Sequence, residues 1–272
     1  SFTPSAMEKL RGRIQQLVDT VLDAAHDRGS IELIDDLAFP VPFQVISDLL
    51  AMPTERAEEM REWSQIITNS LEPTATDEEL AQSDAAIEQL VPYLTSIIED
   101  RRKNLGDDML SSLITAEEAG DKMTTDELMA FLVLLYIAGH ETTVNLIGTG
   151  IYELLRHPEQ AAIWRGDPEL DATAVDEMLR FVSPVQFSRR ITLDDIDFQG
   201  TTIPKGMFVL AGLASSNHDP KKWGHTAEEL DVRRDGAGQH LSFGSGAHYC
   251  LGASLAKLEA AIAIGTFLRR FP

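Results

Sequence analysis

The chain has 272 residues, 43% of them hydrophobic, a single cysteine and a formal charge of −21. Such a length and apolar content suit one large domain or two small ones with a sizeable core, and a lone cysteine excludes an internal disulfide and points to a reducing, cytoplasmic setting. The acidic balance argues against nucleic acid and anionic membrane surfaces as partners, because phosphate attracts lysine and arginine, and favours small ligands.

From the start, FTPSAMEKLRGRIQQLVDTVLDAA puts Leu10, Ile14, Leu17, Val18, Val21 and Leu22 on one helical face, with Thr3 as its expected cap and Pro4 in its first turn. A loop at AFPVP leads into three periodic segments, near 43–50, 54–71 and 77–105, whose acid-rich faces read as solvated. The longest pattern opens with a capping box from Thr124 to Glu127 and stops before Pro158. A helix over 125–156 would be roughly 48 Å long and must run through the core. Its apolar run MAFLVLLYIAG is about half of the roughly 20 residues a membrane span needs, so no transmembrane segment is expected, and no signal peptide opens the chain. A helix near 170–181 follows, then short strands in VQFSRRITL, IDFQG, TTIP and MFVLAGLA, then a helix beginning near Leu251. Helix dominates over a small sheet. No repeat or linker divides the chain, so 1–272 reads as one domain; the abrupt start at SFTPSAMEKL and stop at FLRRFP lead us to expect that both ends are incomplete.

Cys250 lies in FGSGAHYCLG, residues 243–252, directly ahead of that last helix. Gly244, Gly246 and Gly252 would let backbone approach something flat and bulky. The helix start would aim its amide dipole at the sulfur and favour the thiolate, a metal ligand or nucleophile. The bland alternative is a buried structural thiol. Structural zinc needs about four Cys or His ligands, and only His248 lies nearby. A dinucleotide loop would want glycine where Tyr249 stands. A cysteine hydrolase, whose histidine base and oxyanion hole nothing announces, stays open beside iron in a macrocycle, which needs one protein ligand and small-residue packing over a flat ring.

FGSGAHYCLG is similar to the haem-binding loop of the cytochrome P-450 superfamily. AGHETT, residues 138–143, resembles the oxygen-activating segment of that family's central helix, and EMLR, residues 177–180, resembles its Glu-x-x-Arg pair. NHDP and HLSFGSGAHYCLGASLAKLE look most like the soluble bacterial branch. The resemblance implies a mainly α fold with a minor β-sheet region, a partial cytochrome P-450 fold lacking the N-terminal part and the extreme C-terminus.

It also implies haem b, with Cys250 as the iron ligand, Phe243 packed beside the sulfur, Gly244 and Gly252 flanking it, and Arg190 and His248 paired with the propionates. Ala138 belongs with the cofactor-binding residues and, with Val185 and Phe187, would lie near the substrate. Glu177 and Arg180 would join Arg234 in a buried charge network that locks the cysteine loop; the alternative is a surface pair worth a few tenths of a kcal/mol. Gly139 and Thr142 would permit a local distortion of the central helix, while Glu141 and the Thr142 hydroxyl relay protons. Acid and hydroxyl inside an apolar helix are expensive without such a use. His140 is assigned no role and reads as packed or solvated. The implied activity is haem-dependent monooxygenation of a largely apolar small molecule, with electrons from NAD(P)H through a ferredoxin reductase and a ferredoxin. A peroxide-using peroxygenase and a non-catalytic haem-thiolate sensor are the alternatives.

Overall fold

Apolar residues at helical spacing need a partner face, and along most of this chain they find another helix. The computed structural model describes residues 4–118 and 123–272. They form two compact units, residues 31–144 and residues 145–272 joined by the first helix. That helix, α1 (Pro4–Arg28), fully buries Ile14, Val18 and Leu22, three members of the expected face, and packs on the C-terminal helix of its own unit. Thr3, the expected cap, lies outside the described residues.

The first unit opens with a π-helical turn, Leu33–Ala38, and α2 (Pro40–Leu50). AFPVP is therefore the start of a helix and not a loop. Pro40 occupies the first turn, where its missing N–H leaves no bond unmade. Next come α3 (Ala57–Asn69) and α4 (Asp77–Lys103). The latter is closed by a box in which Thr76 N donates to Glu79 Oε2 at 2.7 Å and Glu79 N donates to Thr76 Oγ1 at 3.3 Å. A helix the sequence reading omits, α5 (Met109–Glu118), starts where Ser111 N donates to Asp108 Oδ1 at 2.8 Å.

The long helix α6 (Thr125–Arg156) keeps its expected bounds, and its box is present: Glu127 N donates to Thr124 Oγ1 at 3.2 Å and Thr124 N to Glu127 Oε2 at 2.8 Å. The boundary between the units falls inside it, after Val144. By length and composition α6 is the one helix among the described residues that could cross a membrane. Leu128, Leu132, Tyr136, Leu146, Ile147, Ile151 and Leu154 are nevertheless at most 1% exposed, so it serves as the core helix of both units. The expected distortion at Gly139 is not there, and α6 runs through it unbroken. The glycine has a packing use instead: a Cβ on it would stand 2.8 Å from Ile46 Cγ1, so its absence lets the α2 side chain press onto α6.

In the second unit Pro158 both ends α6 and opens α7 (Pro158–Gly166), another helix the sequence reading omits. Then follow α8 (Asp171–Val182), β1 (Phe187–Ile191), β2 (Ile196–Phe198), β3 (Thr201–Ile203) and β4 (Phe208–Gly212). They pair antiparallel as β1 with β4, Arg190 opposite Val209, and β2 with β3, Ile196 opposite Ile203. Both ribbons are open to solvent; Ile191 of β1 is 64% and Phe198 of β2 59% exposed. Two short helices, α9 (Leu213–Asn217) and α10 (Pro220–Trp223), lead through loops to α11 (Ala253–Arg270), which packs on α1, α7 and α8.

Glu259 of α11 is buried with Oε2 unpartnered, and burial pushes its carboxyl well above the usual range. The unfolded chain loses this proton at an ordinary pH while the folded protein keeps it. The unfolded state then binds fewer protons, and stability falls as pH rises. Glu259→Gln removes that dependence, so its melting temperature should exceed the parent's at pH 8 and approach it near pH 4. An equal difference at both pH values would show that Glu259 does not titrate in this way.

Candidate active site

Two groups of residues carry unusual chemistry, one in each unit. In the second unit α8 presents Glu177 and Arg180 one helical turn apart, both wholly buried. Arg180 Nε and Nη2 donate to Glu177 Oε2 and Oε1 at 2.7 and 2.8 Å. Its remaining hydrogens go to the carbonyls of Asn217 (2.9 Å), Ala227 (2.7 Å) and Glu229 (2.9 Å). Arg234 Nε reaches both Glu177 oxygens at 3.1 Å, while its Nη2 donates at 2.8 Å to the carbonyls of Thr226 and Glu229. Two cations thus share one carboxylate, and backbone carbonyl dipoles offset the excess charge. The network ties α8 to the 217–234 segment.

From there the order passes to the cysteine loop through groups that sequence reading missed. Asn217 Oδ1 accepts from Leu241 N at 2.7 Å, and Asn217 Nδ2 donates to Ser183 Oγ and Ser242 Oγ at 2.7 and 2.8 Å. Ser242 Oγ in turn donates to the Leu179 carbonyl at 2.6 Å. The neighbouring Asp176 pairs with Lys257 of α11 at 2.6 Å. Burial works to raise its carboxyl, but His240 and Lys257 outweigh that and hold it below the usual range. The available signals were the asparagine of NHDP and an acid adjoining Glu177.

The loop closes where Cys250 N donates to the Phe243 carbonyl at 3.0 Å, with Gly244 and Gly246 both at φ +69°. Those angles are why glycine stands at both positions. Phe243 packs edge-on against Tyr249 with ring centroids 6.2 Å apart. Cys250 is free, and Tyr249, Leu251, Ala253, Ser254 and Lys257 line a concavity of about 360 Å³ with it. Although the residue is exposed, partial desolvation of its sulfur pushes the thiol up, and the nearby Gly252 and Ala253 amides work in the opposite direction. The expected lowering by the helix start is therefore real but outweighed, because burial disfavours a bare thiolate. A bound cation would reverse the balance. His248 and Arg190 are exposed; Arg190 Nη1 donates to Ser188 Oγ at 2.7 Å, while Val185 and Phe187 also lie open. No group of three or more His, Cys, Asp or Glu able to hold a metal occurs among the described residues.

In the first unit α6 carries Ala138, exposed, with Glu141 and Thr142 half-buried. Thr142 Oγ1 donates to the Ala138 carbonyl at 3.3 Å rather than to Glu141. Burial raises the Glu141 carboxyl and Arg61 partly opposes it. His140 is packed, at 0% exposure, among the rings of Phe39, Phe43 and Tyr136.

Comparison with known proteins gives a consistent result. The family model described as Cytochrome P450 matches residues 20–163 and 169–272. The chain is 41% identical over 273 residues to Cytochrome P450 107B1 of Saccharopolyspora erythraea, covering 100% of this chain and 65% of that protein. It is 41% identical over 267 residues to the Vitamin D(3) 25-hydroxylase of Pseudonocardia autotrophica, covering 97% of this chain and 64% of that one. Among solved structures, the myxobacterial cytochrome P450 CYP267B1 in complex with myristic acid superposes with a TM-score of 0.93 at 41% identity, over 100% of this chain and 66% of its own. The chain thus spans 64–65% of the length of these two curated relatives.

Proposed function

The chain belongs to the cytochrome P450 family, and from that premise we propose that it is a haem-dependent monooxygenase acting on a largely apolar small molecule. The observation that carries the reading is the Cys250 loop, in which a free, exposed sulfur stands just ahead of the first turn of α11 beside a concavity. These residues fit a haem. The sulfur is a soft ligand, and Cβ atoms at Gly246 and Gly252 would meet nothing within 4 Å, which leaves room for a flat group. Leu251 offers it an exposed apolar side chain, while the exposed Arg190 guanidinium and His248 ring supply hydrogen-bond donors suited to its carboxylates.

When bound, a thiolate-ligated haem supplies the reduction of dioxygen and the insertion of one of its atoms into a C–H bond. The chain's own residues set the conditions for this. Cys250 would ligate as thiolate, and the Gly252 and Ala253 amides would spread its charge and tune its basicity. Phe243 would shield the sulfur from water. Glu141 would hold a proton in its half-buried carboxyl, and Thr142 Oγ1, after turning from the Ala138 carbonyl, would deliver it. The Glu177–Arg180–Arg234 network would act by position alone, fixing the 217–234 segment that holds the base of the loop.

The apolar ligands named for two relatives, myristic acid and vitamin D(3), support an apolar substrate here. Electrons would come from NAD(P)H through a ferredoxin reductase and a ferredoxin in the cytoplasm, a setting that suits a chain with one free thiol. The test is turnover with a surrogate ferredoxin system on substrates chosen by the spin-state shift of the haem spectrum. Product that requires both reductant and dioxygen is expected. Product from peroxide alone at the same rate would make the protein a peroxygenase, and a spin shift without product under any condition would make it a sensor.

A further inference from the structure

We infer that His140 is a positioning residue for Glu141: its Nε2 nitrogen is set to accept a hydrogen bond from the protonated Glu141 carboxyl. The inference rests on the proton-holding role proposed above for Glu141. It starts from the other ring nitrogen. His140 Nδ1 lies 2.7 Å from the Tyr136 carbonyl oxygen, one turn earlier on α6. A carbonyl can only accept, so Nδ1 carries the hydrogen, and in a neutral ring the lone pair is then on Nε2.

The ring is neutral for a physical reason. It is fully enclosed by Phe39, Phe43 and Tyr136, with centroids 5.9, 5.6 and 5.6 Å away, and burial lowers its pKa to about 4. Nε2 itself is buried and has no hydrogen-bond partner. An enclosed acceptor left empty is unfavourable and marks a place where a donor is wanted. Glu141 Oε2 stands 3.7 Å from it. That separation exceeds a hydrogen bond, but rotation of a three-torsion side chain on the adjoining residue can close it.

Only the protonated carboxyl can use this contact. Ionised Glu141 would set its charge against the imidazole lone pair, whereas the neutral acid supplies the missing hydrogen. The groups that face the pair from the surrounding elements are few. Arg61 of α3 pulls the carboxyl toward ionisation, but it is also paired with Asp35 at 2.7 Å and lies 4.4 Å over the Phe39 ring. Tyr136 and Ser47 contribute buried hydroxyls that do not ionise in the working range. His140 therefore favours a Glu141 that carries its proton in a defined direction.

The experiment is an infrared pH titration of the Glu141 carboxyl C=O band in the haem-loaded protein, with the band assigned by its loss in Glu141→Gln. His140→Phe keeps the aromatic packing and deletes the acceptor. The expected result is that the band disappears at lower pH in His140→Phe, with a proton dissociation constant roughly tenfold larger, the scale of one lost hydrogen bond. An unshifted titration overturns the inference. If that variant does not fold, nitrogen NMR of histidine-labelled parent protein decides. Hydrogen on Nδ1 and a hydrogen-bonded, bare Nε2 at pH 7 support the inference, and an imidazolium or an Nε2–H tautomer overturns it. Turnover separates the two readings. Glu141→Gln at parental rate removes the proton role of Glu141 while the titration result stands; a slowed Glu141→Gln beside an unshifted His140→Phe removes only the role of His140.

Discussion

Glu177→Ala should leave almost no folded holoprotein. The substitution strips the carboxylate shared by two guanidinium groups that are at most 9% exposed, and nothing apolar replaces it. Breaking a buried ion pair from one side costs about 3 to 5 kcal/mol, which is comparable with the whole stability of many domains. Arg180→Ala should be nearly as severe for a different reason. Glu177 keeps Arg234, but the carbonyls of Asn217 and Ala227 lose the donor that fills them. Glu177→Gln should fall between parent and Ala, since one acceptor oxygen survives. The measurements are soluble yield, haem content and melting temperature. Parental values for Glu177→Ala would mean that the network does not hold the 217–234 segment in place.

Thr142→Ala should leave reduction intact and divert reducing equivalents into hydrogen peroxide. Its hydroxyl spends its proton on the Ala138 carbonyl at 3.3 Å, a weak bond inside a helix that is complete without it. Losing that bond should change stability by only a few tenths of a kcal/mol. Any large effect must therefore be chemical. Positioned proton transfer contributes a factor of about 10² to 10⁴, so product formation should drop on that scale at unchanged substrate affinity. Glu141→Gln should slow turnover while the hydroxyl remains. NAD(P)H consumption, peroxide and product have to be followed together. A Thr142→Ala variant as well coupled as the parent would reduce AGHETT to a packing motif.

What could be read from the sequence was whatever local chemistry determines. The capping box at Thr124 and Glu127 and the proline at 158 delimit α6 to the residue. The i, i+3 spacing of Glu177 and Arg180 places them on one face of α8. The same proline concealed α7, because a residue that stops one helix is equally suited to open the next. Likewise AFPVP, rich in proline, is the first turn of α2. Tertiary partners were beyond local reading. Four of the groups that satisfy the two arginines are backbone carbonyls at Asn217, Thr226, Ala227 and Glu229, which have no residue-type signature. Glu259 follows a helical pattern as a charge that should face water, yet it is buried, and His140 showed nothing of its orphaned nitrogen. Gly139 was misread because glycine in a helix signals either irregularity or close approach, and only the position of Ile46 tells which.

The central claim is that Cys250 is the ligand that turns this loop into a haem-thiolate centre. It is tested most directly by the absorption spectrum of the reduced protein under carbon monoxide, recorded for the parent and for Cys250→Ser at equal haem content. An alcohol does not ionise at neutral pH, so serine cannot replace the thiolate, although the backbone bonds from Cys250 N to the Phe243 carbonyl and from Ala253 N to the Cys250 carbonyl remain to hold the loop's shape. The parent should show the thiolate signature, and Cys250→Ser should lose it completely. A parent protein that binds haem without that signature, or a serine variant that retains it, would mean that Cys250 is not the iron ligand.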